Sequence, residues 1–108
     1  MPVDMDRIRA IADRHHLPVV EDCALAIGTR YRGAHAESFG AVGCFSFYPV
    51  KHMTTAEGGM VTTNDDVLAA RIRRQRAFGL DKTVMERAIP GVYDVTMLGY
   101  NYRMNEIE

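Results

Sequence analysis

Few residues of this chain are equipped for covalent chemistry, and composition singles one out. Among 108 residues there are two lysines, Lys51 and Lys82, beside eleven arginines. A chain that otherwise takes arginine as its cation leaves a lysine to be explained. Lysine can lose its proton when desolvated and act as an amine nucleophile; arginine cannot. Lys51 ends the run Phe45-Ser46-Phe47-Tyr48-Pro49-Val50-Lys51, an apolar, aromatic strand closed by a proline turn. An amine in that position suits a Schiff base with the aldehyde of pyridoxal 5'-phosphate (PLP). The flanking aromatic residues predict a partly desolvated amine, which holds its proton less tightly. A plain surface lysine at a strand end is the alternative.

PLP chemistry asks more of a protein than an amine. It needs a carboxylate to keep the ring nitrogen protonated, hydroxyl or backbone donors for the phosphate, and a wall for the ring. Asp22 closes the apolar pair Val19-Val20 and is a candidate for the carboxylate; a turn or capping role is the alternative. Glu21, pointing the other way in an alternating strand, is read as structural. Ser46, five residues before Lys51, is a candidate phosphate donor or a buried serine bonded to backbone. Gly58-Gly59 reads as a tight turn into the next strand.

The elements that must position these residues alternate between helix and strand. Asp4 is a good N-cap for a helix from about Met5 to His15, with Met5, Ile8, Ile11 and Ala12 on one face. Leu17-Pro18 breaks it, and Val19-Val20 leads a short strand into Glu21-Asp22. Tyr31-Arg32-Gly33 marks a hairpin turn inside the glycine-rich stretch 28–40. Strands follow at Val42–Phe47 and Met60–Thr63. Asn64 then caps a helix from about Asp65 to Phe78, with Val67, Leu68, Ile72 and Gln75 inward. Leu80–Met97 has no clear period and reads as a loop. Short, almost wholly apolar strands separated by helices indicate an α/β fold with a mainly parallel sheet, in which ligand-binding groups gather at the carboxyl ends of strands.

Bulk properties narrow the classes. The chain is 47% apolar and 25% charged, with a net charge of −1, which offers no electrostatic case for nucleic acid or an anionic membrane. The basic run Arg71–Arg76 reads as a solvated helix face with cations near its C-terminus. No apolar run approaches a membrane span and no signal segment opens the chain, so the expected compartment is cytoplasmic. Cys23 and Cys44 are too few for a disulfide framework and read as buried free thiols; no metal site is expected.

In order along the chain, these segments resemble the DegT/StrS family of nucleotide-sugar aminotransferases, PLP enzymes of fold type I. The resemblance rests on Val20–Ala24, Phe45–Lys51, Thr55–Thr63, Arg76–Gly79 and Leu98–Glu106. It covers nearly the whole chain, and a lysine segment followed by Glu57-Gly58-Gly59 is highly specific. It implies that Lys51 forms the internal aldimine and shuttles the proton of transamination. Asp22 would pair with the pyridinium nitrogen and Ser46 would bind the phosphate. Asn101 would reach the phosphate held by the other subunit of a homodimer. The implied reaction moves an amino group from an amino acid, commonly glutamate, to a nucleotide-linked keto-sugar in polysaccharide or amino-sugar biosynthesis. Residues 1–108 would be one partial domain, the central segment of the PLP-binding large domain.

This chain departs from the pattern at Leu25, where many members carry His or Gln. The upstream Gly-Thr phosphate loop, the ring-stacking aromatic residue and the C-terminal small domain are not in it. It opens one turn before a helix and stops where Asn105-Glu106-Ile107-Glu108 begin another, so part of a larger domain is expected. Two other readings follow: a non-catalytic fragment or interaction module, and a PLP-dependent sugar dehydratase, against which Lys51 argues because those relatives lack the lysine.

Overall fold

A computed structural model describes residues 2–106. The helix start expected at Asn105–Glu108 therefore falls partly outside the described residues. Two compact units are present, one up to Asp65 and one at Asp66–Asn105, each taken by itself below. The fold is α/β. The first unit contains α1 (Met5–Arg14), β1 (Val20–Asp22), β2 (Arg30–Tyr31), β3 (Ala34–His35), β4 (Val42–Ser46) and β5 (Gly59–Thr62).

Helix α1 starts as the sequence predicts. The Asp4 side chain accepts the Arg7 N–H at 3.2 Å, satisfying one of the first-turn donors that a helix cannot pair internally. Its end differs. The Leu17 N–H reaches the Ala12 carbonyl and the His16 N–H the Asp13 carbonyl, while His16 turns left-handed at φ 53°. This is a Schellman closure made by histidine instead of glycine. The helix is thus finished before Pro18. Met5 and Ala12 are buried, but Ile8 is 37% and Ile11 55% exposed, so half of the expected apolar face is open.

Strand β1 pairs in parallel with β4, in the register Val20↔Val42, Glu21↔Gly43, Asp22↔Cys44. Strand β5 pairs with β4 on its other side, antiparallel. The connection from β1 to β4 contains no helix. It holds the β2–β3 hairpin, turned at Arg32 (φ 48°) and Gly33 (φ 88°), the two left-handed residues that a tight hairpin turn requires. Tyr31 and Arg32 tie this hairpin to the start of α1. The Tyr31 hydroxyl lies 3.1 Å from Asp4 Oδ1, and Arg32 forms a 2.7 Å ion pair with Asp6.

Glu21 is buried, and its carboxylate accepts the backbone N–H groups of Glu37, Phe39 and Gly40 at 2.9, 2.8 and 2.6 Å. The structural reading of Glu21 therefore takes a specific form: it gathers the end of the connection onto β1. Gly43, its strand partner, is where the Glu37 side chain packs, leaving no room for a β-carbon. Cys23 and Cys44 are free thiols, the first fully buried. Burial, then the Glu21 and Glu37 charges, push the Cys23 thiol's pKa up, which keeps it protonated and inert.

The second unit holds α2 (Asp66–Gln75) and a single 3-10 turn at Val84–Glu86. Val67 is 80% exposed, not inward as its spacing predicts. Helix α2 stops three residues before the expected Phe78: the Gly79 N–H closes back on the Arg74 carbonyl past a left-handed Phe78 (φ 64°), and an extended segment pairs with its end. Tyr100 N–H donates to the Gln75 carbonyl at 2.6 Å, Phe78 N–H to Tyr100 O, and Tyr102 N–H to Arg76 O. Backbones touch where Gly79 and Gly99 cross, and a β-carbon at either would strike main-chain atoms. Inside the expected loop, the Glu86 carboxylate accepts both the Thr83 N–H and its hydroxyl. Arg71, Arg73, Arg74 and Arg76 are exposed. Among the described residues no helix is long and apolar enough to cross a membrane.

Two stability predictions follow. Glu21→Ala leaves three amides without their acceptor and should lower the unfolding free energy by about 3 kcal/mol, read as a drop in the urea midpoint. Asp4 is held below its ordinary value of 3.8, first by the Arg7 N–H and then by Tyr31 and nearby arginines. A depressed carboxyl stabilises above its unfolded pKa, and that contribution is lost as pH falls through the folded value. Asp4→Asn, which can still cap, should therefore lower stability at neutral pH and flatten the acid limb below pH 3.8, leaving stability at the lowest pH little changed.

Candidate functional site

Parallel pairing brings the candidate residues of the first unit to one end of one sheet face. Partners across a ladder project to the same side, and residues two apart along a strand do likewise. Asp22 faces Cys44 in register, so Asp22, Cys44 and Ser46 share a face, at the carboxyl ends of β1 and β4. Glu21 lies on the opposite face, with Gly43. On the site face β5 places Val61 opposite Cys44 and Gly59 opposite Ser46. The space beside the Ser46 hydroxyl is therefore free of a side chain from the neighbouring strand.

The polar groups here are only partly satisfied from within. Asp22 is exposed, and its Oδ1 accepts the Ala24 N–H at 3.1 Å. Neither Asp22 nor Lys51 enters an ion pair among the described residues, with each other or with a third group. Ser46 Oγ accepts the Tyr48 N–H at 3.3 Å, which leaves its own hydrogen to donate. A carboxylate without a cation, an amine without an anion and a hydroxyl with a spare proton make a donor set that fits PLP: one group each for ring nitrogen, aldehyde and phosphate. Leu25, 66% exposed, lines a groove of about 450 Å³ with Asp22, Val20, Ile8 and Val3. The apolar surface next to the carboxylate is consistent with Leu25 serving as a ring wall.

Lys51 sits in the loop joining β4 to β5. Its N–H donates to the Tyr48 carbonyl at 2.9 Å, closing a tight turn at Pro49-Val50. Only part of the flank expected to desolvate it is covered. Lys51 is half-buried; in its flank Phe47 is buried, while Tyr48 is 47% and Val50 77% exposed. Ala56 in the same loop is left-handed at φ 68° and Gly58 stands at φ 145° before β5 starts. The reading of Glu57-Gly58-Gly59 as a turn into a strand fits this geometry.

Asn101 belongs to the second unit. It forms an isolated antiparallel bridge with Ala77, is exposed, and accepts the Arg103 Nε–H at 3.2 Å through Oδ1, leaving its amide N–H groups to donate. Arg103 lies 4.7 Å from the Phe78 ring centroid. Two residues escape sequence reading. Cys44, between Asp22 and Ser46 on the site face, follows from alternation back from Ser46. Thr54, which hydrogen-bonds the base of the lysine loop, follows from no sequence signal. Among the described residues no cluster of His, Cys, Asp or Glu could hold a metal ion.

With this geometry in hand, known proteins provide context. The sequence profile of the DegT/DnrJ/EryC1/StrS aminotransferase family matches residues 1–108. GDP-perosamine synthase of Caulobacter vibrioides is 46% identical over 105 residues, covering 97% of this chain and 26% of its own. The solved aminotransferase from Psychrobacter cryohalolentis superposes with a TM-score of 0.87 at 42% identity, over 98% of this chain and 28% of that one. Sugar aminotransferase CalS13 from Micromonospora echinospora gives 0.86 at 41%, over 98% and 30%. The chain thus spans between a quarter and a third of the length of these relatives.

The left-handed Ala56 offers a direct check on the loop. An L-residue with a β-carbon is disfavoured there by about 1 kcal/mol, and glycine is not. Ala56→Gly should therefore hold or raise thermal stability, despite glycine's greater freedom when unfolded, whereas Ala56→Val should lower the melting temperature.

Proposed function

Because the chain belongs to the DegT/DnrJ/EryC1/StrS aminotransferase family, we propose that it is the central, lysine-bearing segment of the large domain of a PLP-dependent sugar aminotransferase. The observation that carries this reading is the β1–β4 register, which sets Asp22 and Ser46 on one face at the strand ends beside the Lys51 loop. Likeness to GDP-perosamine synthase and to a sugar aminotransferase supports a nucleotide-linked keto-sugar as amino acceptor. An amino acid, with glutamate the family's common choice, would be the donor. The activity is proposed for the protein at the length of its relatives.

When bound, PLP supplies an aldehyde that condenses with amines and a protonated ring that draws electron density from the carbon losing its proton. Lys51 Nζ is the amine that would hold that aldehyde carbon. As a free base, Nζ would be able to take a proton from one carbon and return it to the next. Asp22, left without a cation, would keep a positive charge at the ring nitrogen through its unpaired carboxylate oxygen. The Ala24 N–H on its Oδ1 fixes the direction of that carboxylate. Ser46 would donate its free hydrogen to a phosphate oxygen. Asn101 would offer its amide N–H groups to the phosphate held by the partner subunit of a homodimer.

Lys51 distinguishes this reading from the sugar dehydratases. In the full-length protein, borohydride should fix PLP irreversibly on Lys51, with loss of the imine absorbance. Lys51→Ala should abolish both the fixed adduct and transamination. Asp22→Asn should keep the adduct and lower kcat by about a hundredfold or more, the scale of losing a preorganised charge contact. A borohydride-fixed cofactor on the Lys51→Ala protein would refute the assignment.

A further inference from the structure

The loop from β4 to β5, residues 48–58, holds Lys51 near its start; beyond the Tyr48 N–H on Ser46 Oγ, its returning arm is tied down at Phe47. The Phe47 N–H donates to the Gly58 carbonyl at 2.9 Å, continuing the β4–β5 ladder by one rung. The Phe47 carbonyl takes two bonds from the returning arm of the loop: the Thr54 hydroxyl at 2.8 Å and the Thr55 N–H at 3.1 Å. Phe47 is itself buried, so this anchor is fixed by packing. Among the described residues no bond to the strand end holds the outer part of the loop, where Pro49, Val50, His52 and Met53 are exposed.

Thr54 uses its hydroxyl in both directions. It donates to Phe47 O and accepts the N–H of Ala56 at 3.0 Å. The second bond steadies the left-handed Ala56, a conformation an alanine does not hold unaided. Among the described residues, Thr54 has the only loop side chain hydrogen-bonded to the strand end; the Thr55 hydroxyl stays inside the loop, on Glu57 O. Thr54 is three residues from Lys51, whose own turn is closed by a backbone bond to Tyr48. The Thr55 N–H already returns the loop to Phe47; the Thr54 hydroxyl adds a second bond one residue nearer the lysine, so the free arm is residues 48–53, and a doubly held, shorter arm has fewer directions in which to carry the amine.

We infer that the Thr54 hydroxyl latches the Lys51 loop onto the end of β4 and so aims the Lys51 amine over the strand-end face. Thr54 is a positioning residue and touches no reacting atom. Its bearing on the cofactor rests on the role proposed for Lys51; the latch itself does not.

The experiment compares wild type, Thr54→Val and Thr54→Ser in the full-length protein, with two readouts. Amide hydrogen exchange at Thr55 and Ala56, measured without cofactor, reports the latch. Losing one hydroxyl with two hydrogen bonds should speed it about tenfold in the valine variant, and serine should restore it. Borohydride fixation of PLP on Lys51 at sub-saturating PLP, mapped by peptide with Lys82 as internal reference, reports the aim. It should fall about tenfold with valine and return with serine, while the melting temperature of the three stays close. Should Thr54→Val fail to fold, Thr54→Ala, which removes the hydroxyl with less bulk, gives the same comparison. Unchanged exchange in the hydroxyl-free variant overturns the latch. Faster exchange with unchanged fixation overturns the aiming role. If wild type fixes no PLP on Lys51, the proposed function fails, and the exchange rates still decide the latch.

Discussion

The parallel pairing of β1 with β4 is the constraint on which the rest of the first unit depends. A parallel ladder places the carboxyl ends of both strands at the same edge, and register then decides which side chains meet there. With Asp22 opposite Cys44, Asp22 and Ser46 come to one face; a one-residue slip would send Ser46 to the far side. Parallel neighbours need a crossover connection, normally a helix. Here the connection is a hairpin, with less surface to pack. The work of fixing it falls to two polar devices: the buried Glu21 carboxylate under three amides, and the Tyr31–Arg32 contacts to the acidic start of α1.

Adjacent carboxylates in β1 have opposite fates for the same reason. Alternation turns Glu21 inward, where the connection supplies it with donors, and turns Asp22 outward, where a single backbone N–H meets it. A buried charge survives by being fully hydrogen-bonded. An exposed, half-satisfied charge costs little and stays available to a ligand. The unpaired amine of Lys51 and the spare hydroxyl proton of Ser46 complete the same pattern. Stability and proposed chemistry thus divide between the two faces of one short strand.

Much of this was legible in the chain. Asp4 as a cap, the Tyr31-Arg32-Gly33 turn, the strand end at Asp22 and the structural role of Glu21 all follow from local rules: side-chain capping, left-handed turn residues and alternation. What escaped depends on partners distant in sequence. Helix α2 ends early at a left-handed Phe78, and its Gln75 carbonyl is taken by Tyr100, which nothing near Gln75 announces. Helix α1 closes on a left-handed histidine, where composition favours glycine and pointed to Pro18. Val67 fits a helical period yet lies open, since periodicity marks a face without saying what covers it. Thr54 stands just after Lys51 with no role legible in the sequence, because a hydroxyl beside a turn is common and only the fold shows that it meets the Phe47 carbonyl.

The central claim is that Asp22, Ser46 and Lys51 form one site for one ligand. A structure of the full-length protein grown with PLP tests it most directly. The account predicts continuous density from Lys51 Nζ into the cofactor, with the Asp22 carboxylate at the ring nitrogen and the Ser46 hydroxyl on the phosphate. Cofactor density joined to another lysine, or lying away from the strand ends of β1 and β4, would contradict it.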